Sequence, residues 1–401
     1  MFEAIYVGMT GLSTFSRNLT IIGNNVSNIN TPGFKSSQLS FVDLVYNSLI
    51  ASGSSNAGSE QQIGAGVGSG STRVLFKQGT LQQTGNATDM AVDGNGLFVL
   101  RSGDKTTYTR DGQFVFDADG FLISRATSAR VAAFGGGALE DLSTASLRAI
   151  PGQATSLVRF VDNLNIGGTT DTVNVSVFDA AGGSHALTVV FTNNNTTQAG
   201  SWLLEVRDEA GATVSTGEIR FNADGSPADG FNTHAFTLSP GGVAPTQITF
   251  DFGPAGGFSG ATNFSSQDST LKVSSQDGFA AGALTTAAFD ADGVLTANYS
   301  NGQSRRGQRI ALAFFESPEN LKPNGGAIFD NSSSEPVILG NPNSGAFGAL
   351  APQSLESANV DLAQEFDDLI ISQRGFQASS QVISATNDMI QQLFDIQQKR
   401  A

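Results

Sequence analysis

The sequence predicts a multidomain chain whose long terminal α-helices form a coiled-coil-like core domain, with antiparallel all-β domains inserted between them. Three observations carry this expectation. Apolar residues recur at heptad spacing over the first thirty residues, and again from Ser357 onward. Between these ends the chain turns to short alternating runs punctuated by turn residues.

The first helix is set by Phe2, Ile5, Met9, Leu12, Leu19 and Val26 on a 3-4 register, with Ser16 and Gly23 at the intervening core places. Phe15, Ile22 and Ile29 widen the apolar face. Thr31-Pro32-Gly33 ends the helix, because Pro disfavours a helical residue before it and Gly permits angles that a helix cannot use. From Ala51 to Ser71, twelve of twenty-one residues are Gly or Ser, too few side chains to pack a core, which reads as a linker. Half-buried strands follow at Val173, Val175, Val177; Leu187, Val189, Phe191; Trp202, Leu204, Val206; and Ile248, Phe250, Phe252. Asp117-Ala118-Asp119-Gly120, Asn222-Ala223-Asp224-Gly225 and Asp290-Ala291-Asp292-Gly293 each suit a hairpin with Gly at a left-handed position. The last helix is set by Leu362, Leu369, Phe376, Ile383 and Ile390 at seven-residue spacing, joined by Phe366 and Phe394. At 1.5 Å per residue the two helices would run roughly 40 Å and 60 Å. That is longer than a lid on a β domain requires, so heptads at both ends predict a polymer.

Composition removes several function classes. The 401 residues carry 36 Asp+Glu against 21 Lys+Arg, and the formal charge of -15 opposes binding to nucleic acid or to anionic lipid. With no Cys, disulfides, thiolate metal sites and Cys nucleophiles are all excluded. No run reaches the roughly 18 apolar residues of a membrane span, and the N-terminus lacks the basic start and cleavage site of a secretory signal. The expectation is a cytoplasmic chain or one exported without signal cleavage, and no membrane insertion. The two histidines, His185 and His234, have no His, Cys or helical Glu at metal-ligand spacing, and the FDADG segments lack the further acidic ligands of a calcium loop. Gly64 to Gly70 and Gly135 to Gly137 do not end in a Lys-Ser/Thr pair, and Asp367 and Asp368 read as solvated charge. No catalytic, cofactor-binding or metal residue is assigned, and the expectation is a non-enzyme.

Three stretches resemble the bacterial flagellar rod and hook axial protein family. The first is Ile22 to Lys35, IGNNVSNINTPGFK, whose signature residues are Asn24, Asn25, Asn28, Thr31, Gly33, Phe34 and Lys35. The second is Met90 to Leu100 with YTRDG at Tyr108 to Gly112, and the third is Leu355 to Ile383. The resemblance implies a terminal helical polymer-core domain (1–30 and 358–401), a flexible connecting stretch (31–71), an inner β domain (72–147 and 282–357) and an outer one (148–281). An insertion as large as the outer domain points within the family to the hook, as do Asn298-Tyr299-Ser300-Asn301 and the strand Ile310 to Phe315. The implied function is a structural subunit that self-assembles into a hollow, curved tube transmitting motor torque from rod to filament. Another axial component, an enlarged distal rod protein or a hook-filament junction protein, is the alternative. Implied partners are further copies of the chain, the distal rod protein, the hook cap and junction proteins, and the flagellar type III export apparatus, with the hook outside the cell as the location. Phe41 and Val45 resemble a family element that engages the export gate, with Val in place of the usual Phe at the second position.

Overall fold

The computed structural model describes residues 2–44, 47–49, 61–135, 138–265 and 268–398. It corrects the expected fold class. Among the described residues there are only two α-helices, α1 (Phe2–Ser27) and α2 (Leu362–Gln398), and the rest is mostly antiparallel β-sheet. The helices do not form a coiled-coil core set apart from β domains inserted between them. Both fall in the same compact unit as the first β region, and α1 packs on the strands Ser37–Asp43 and Val67–Val74 as well as on α2.

The physical reason lies in which residues meet. In a straight helix a residue seven places on falls about 20° behind, so a strict seven-residue row drifts around the surface. From Leu362 to Ile390 that drift accumulates to about 80°. Leu369, Phe376, Ile383 and Ile390 are half-buried, while Leu362, Phe366 and Phe394 stay exposed. On α1, Ile5, Leu12, Leu19 and Val26 are half-buried, Met9 is exposed, and the side chain of Phe2 lies outside the described residues. Ser16 and Gly23 are exposed. The buried line of α1 is instead Gly8, Gly11, Thr14, Ile22 and Asn25.

The chain divides into two compact units. The first comprises Met1–Ala145, Ala287–Thr296 and Arg306–Ala401. Its core packs Val74, Leu97, Val99, Tyr108, Ala311 and Phe315 against one another, with Tyr108 edge-on to Phe315 at 4.8 Å. The strand Leu97–Ser102 is central, pairing antiparallel with Lys105–Thr109, Arg130–Gly135 and Leu312–Phe315. Met90–Asp93 pairs with Ala349–Pro352 and Leu81–Gln83 with Ser354–Glu356, which brings the chain back to the foot of α2. The strands Ser37–Asp43 and Val67–Val74 pair antiparallel, and much of the chain between them lies outside the described residues.

The second unit comprises Ser146–Thr286 and Ala297–Arg305. Thr170–Phe178, Ser184–Asn193, Ser201–Arg207 and Thr213–Arg220 make an antiparallel sheet, and Leu157–Asn163 pairs parallel with Thr246–Asp251 and antiparallel with Lys272–Gln276 in another. Alternation along these strands points Val175, Phe191, Trp202 and Phe250 into one core, where Phe160 stacks on Phe252 at 4.8 Å. The three Asp/Asn-rich turns close as their sequence dictates. Gly120, Gly225 and Gly293 all have positive φ, and each donates its N–H to the carbonyl of the turn's first residue.

Candidate functional site: a buried latch between the chain ends

Where the two ends of the sequence meet, small side chains let α1 and α2 approach closely. A methyl group added at Gly8 would lie 2.7 Å from Ile383 Cγ1, one at Gly11 2.6 Å from Ser379 Oγ, and one at Gly375 2.4 Å from Phe15 Cζ. Asn18 Nδ2 donates to Ser372 Oγ at 2.7 Å, and Asn25 Nδ2 to Glu365 Oε1 at 2.9 Å. As residue numbers rise on α1 they fall on α2, so the pair is antiparallel. Burial raises the Glu365 pKa, the bond from Asn25 opposes the rise, and Asp368 adds to it.

The signature residues sit just beyond this seam. The Asn25 amide is buried and pairs with both backbone groups of Ser37, donating to its carbonyl and accepting from its N–H at 2.9 Å each. Asn28 Nδ2 donates to the Asn24 carbonyl at 2.8 Å, and Thr31 Oγ1 to Asn28 Oδ1 at 3.2 Å, which ties off the helix end. Gly33, with φ +69°, donates its N–H to the Glu356 carbonyl. It lies so close to the Arg110–Asp111 peptide that a Cβ would fall 2.3 Å from Asp111 N. Phe34 is half-buried, and its carbonyl accepts from Asn359 N.

Lys35 completes the arrangement. Its Nζ donates to the Lys77 carbonyl at 2.8 Å and to Glu356 Oε1 at 2.5 Å, while Arg110 Nη1 holds Glu356 Oε2 at 3.0 Å. Gly79 N also donates to Glu356 Oε1, and Arg110 reaches the carbonyls of Val92 and Gly94. Lys35 and Glu356 are wholly buried in their side chains, and Arg110 nearly so. Burial lowers the Lys35 and Arg110 pKa values, and Glu356 opposes the shift in both. Buried charges of this kind hold only while every member is paired. Asn359 adds a second tie, accepting from Ser36 N and donating to the carbonyls of Leu75 and Lys77.

Beneath Gly33, Asp111 is 7% exposed, and its pKa is pushed up to about 6. Burial is the main cause and Asp89 adds to it, while the Gln113 N–H and Arg125 oppose it. Asp89 is itself buried, its Oδ2 accepting from Thr84 Oγ1 and Asn86 Nδ2.

The structure thus gathers Asn25, Asn28, Thr31, Gly33, Phe34 and Lys35 into one fastening, with Asn24 exposed at its edge. Of the heptad-row residues, Val26 and Leu362 flank it in the chain, and the others stand farther along the helices. Sequence reasoning left out Glu356, Arg110 and Asn359 as site residues. All three stand in the stretches that carry the family resemblance, and in a chain only 14% charged a Glu inside Ser354-Leu355-Glu356 was the available signal. Phe41 is exposed with its ring 5.5 Å from that of Phe15, and Val45 lies outside the described residues. His185 Nε2 bonds Asp179 Oδ2 at 2.8 Å and His234 Nε2 bonds Ser215 Oγ at 3.0 Å, and among the described residues no group of three or more His, Cys, Asp or Glu could hold a metal ion.

One face of α2 is left bare. At about 100° per residue, Ile371, Ala378, Val382, Ala385, Met389, Leu393 and Ile396 fall within about 40° of a single line. All are exposed, Ile371 to 63%. This line lies about a quarter-turn from the seam with α1.

Comparison with known proteins follows the same segments. Residues 5–35 match the model for flagella basal body rod proteins, 91–175 the flagellar hook protein FlgE/F/G D1 domain, 156–279 the flagellar basal body protein FlaE D2 domain, and 351–396 the flagellar basal body rod FlgEFG protein C-terminal region. The flagellar hook protein FlgE of Treponema pallidum is 30% identical, over 97% of this chain and 98% of its own length. The chain belongs to the flagellar hook protein family. The hook proteins of Borreliella burgdorferi and Escherichia coli are 29% and 27% identical, covering 98% and 97% of this chain and 99% and 98% of their own. The crystal structure of Helicobacter pylori flagellar hook protein FlgE2 superposes on 69% of this chain and 100% of its own, with TM-score 0.48 and 14% identity. The latch falls inside the segments matched at both ends of this hook-family chain, since Lys35 closes the first and Glu356 lies in the last.

Proposed function

We propose that this chain is a structural subunit of the bacterial flagellar hook, which assembles with copies of itself into a hollow, curved tube and transmits torque from rod to filament. The observation that carries the reading is similarity to flagellar hook proteins along nearly the whole of both chains. The bare line on α2 supports it physically. An apolar side chain gains about 1.5 to 3 kcal/mol on full burial, and neighbouring copies in a tube supply the cover. Contacts of that kind join different surfaces and do not close, so they propagate as a filament.

In this reading the half-buried and exposed apolar residues of both helices, from Ile5 to Val26 and Leu362 to Phe394, pack the polymer's core. The inner β domain (72–147 and 282–357) and the outer one (148–281) build its wall. The latch holds the helical ends to the β region when load is applied. The subunit leaves the cell through the flagellar type III apparatus without signal cleavage, Phe41 and Val45 engaging the export gate. It meets the distal rod protein at one end of the tube and the cap and junction proteins at the other. Antibody raised against residues 148–281 tests the assignment by electron microscopy of cells. Label along a short curved segment at the filament base is expected. Label confined to a single ring, or absent until the envelope is opened, overturns the reading in favour of a junction or rod protein.

A further inference from the structure

The chain holds three Asn-Gly pairs, Asn95-Gly96, Asn301-Gly302 and Asn324-Gly325. In such a pair the backbone nitrogen after the Asn reaches its side-chain amide with little hindrance, because Gly carries no Cβ. The fold treats the three differently. Asn301 is fixed on both sides: its Nδ2 donates to the Ala280 carbonyl at 2.6 Å, its Oδ1 accepts from Gln303 N at 3.1 Å, and Gly302 N donates to the Tyr299 carbonyl at 3.0 Å. At Asn95 the carbonyl accepts from Gly348 N at 2.7 Å, and the Gly96 that follows is buried, with Leu312 Cδ1 3.3 Å from where a Cβ would stand. Asn324-Gly325 has no such hold. Both residues and Gly326 are exposed, and a Cβ added at Gly325 or Gly326 would meet nothing within 4 Å beyond its chain neighbours. Among the described residues the Asn324 side chain, the Asn324 carbonyl and Gly325 N have no hydrogen-bond partner. The peptide group that must turn for the two to meet is therefore free to turn.

We propose that Asn324 is a site of spontaneous modification, at which the chain converts its own Asn-Gly link to isoaspartate and aspartate. Gly325 N attacks Asn324 Cγ. The new N–Cγ bond closes a succinimide, the Cγ–Nδ2 bond breaks, and the proton from Gly325 N leaves with Nδ2 as ammonia. Solvent water then adds to one of the ring carbonyls. Opening at Cγ leaves ordinary Asp, and opening at the main-chain carbonyl leaves isoaspartate, whose backbone runs through the side-chain carbons. Nothing is oxidised or reduced, and water is the only co-reactant. The site lies in the turn between Lys322–Pro323 and Ile328–Asp330, where Asn324 N donates to the Ile328 carbonyl at 2.8 Å and Ile328 N to the Gly325 carbonyl at 3.1 Å. An extra main-chain carbon between those bonds prevents both from being held, so the short edge strand Lys322–Pro323 would lose its register with Ile328–Asp330. Each conversion also adds a negative charge to a chain already at -15. Because the reaction runs one way and needs only water and time, it marks the age of each copy. This inference is independent of the hook assignment.

The test incubates the full-length chain, folded and in denaturant, at mildly alkaline pH. Conversion at each Asn is followed by peptide mapping with mass spectrometry, and isoaspartate by methyl labelling with an isoaspartyl methyltransferase. In denaturant all the Asn-Gly pairs should convert alike. In the folded chain Asn324 should keep close to its unfolded rate, while Asn301, which must release three hydrogen bonds, should slow about a hundredfold. Asn324→Gln, whose longer side chain closes a ring far more slowly, should remove most of the folded chain's isoaspartate. Slowing of Asn324 on folding to match Asn301 overturns the proposal, as does conversion of Asn95 or Asn301 in the folded chain at the rate of Asn324. The comparison of folded with unfolded parent chain stands even if Asn324→Gln does not fold.

Discussion

Replacing Asp111 by Asn should stabilise the protein at alkaline pH and leave it unchanged in acid. Asp111 has its pKa raised from 3.8 to about 6, chiefly by burial. An acid whose folded pKa lies above its unfolded one destabilises the fold once it ionises. Below pH 3.8 both states hold the proton and there is no effect. Between the two values the unfolded chain is progressively favoured, and above about 6 the full penalty applies. At 1.36 kcal/mol per unit, a shift of about two units costs about 3 kcal/mol. Asn keeps an acceptor for the Gln113 N–H, which Asp111 Oδ1 receives at 3.0 Å, so the substitution removes charge without removing that bond. At about 2 °C per kcal/mol for a unit of this size, melting at pH 8 should rise by about 6 °C. Calorimetry of the two proteins at pH 8 and pH 3.5 reads this directly. An equal rise at both pH values, or none at pH 8, would refute the account of a buried, reluctantly ionised carboxylate beneath Gly33.

Glu356→Gln leaves Lys35 and Arg110 buried without their carboxylate and should cost about 3 to 5 kcal/mol in urea unfolding. Gly33→Ala forces a side chain into φ +69° and into the Arg110–Asp111 peptide. The left-handed backbone alone costs about 1 to 3 kcal/mol, and a lower yield of folded protein at 37 °C should report it. Ile371→Asp and Leu393→Asp, on the bare line, should melt within about 0.5 kcal/mol of the parent yet abolish motility. Asn195→Asp, by contrast, should swim normally. Ile383→Asp places a carboxylate against Gly8 in the seam and should lower the helical melting transition itself, measured by circular dichroism.

The alternating strands and Asp/Asn-Gly turns were legible because each is a local pattern whose physical cause lies within ten residues. Phe191, Trp202 and Phe250 are buried as their spacing requires. The extent of both helices was legible for the same reason. Their pairing was not, because the heptad argument ranks large apolar residues first, whereas the seam is chosen by what lets two backbones approach. Gly8, Gly11, Gly375 and Ser379 carry little hydrophobic signal and mark the contact. The latch was half visible. Lys35 could be singled out within its motif, but Glu356 stands 321 residues away, and no periodicity joins positions so remote. Burial of charged groups is decided by tertiary pairing, which local composition does not encode.

The bare line on α2 also gives the free subunit, as a colloid, an adhesive edge. From Ile371 to Ile396 it runs about 38 Å at 1.5 Å per residue, and the chain behind it carries a net charge of -15. Two lone copies repel over about 30 Å in 0.01 M salt but only about 8 Å at physiological ionic strength. Screening therefore lowers the concentration at which copies first adhere. Growth onto an existing end escapes most of that nucleation barrier, because an incoming copy covers its edge on several neighbours at once.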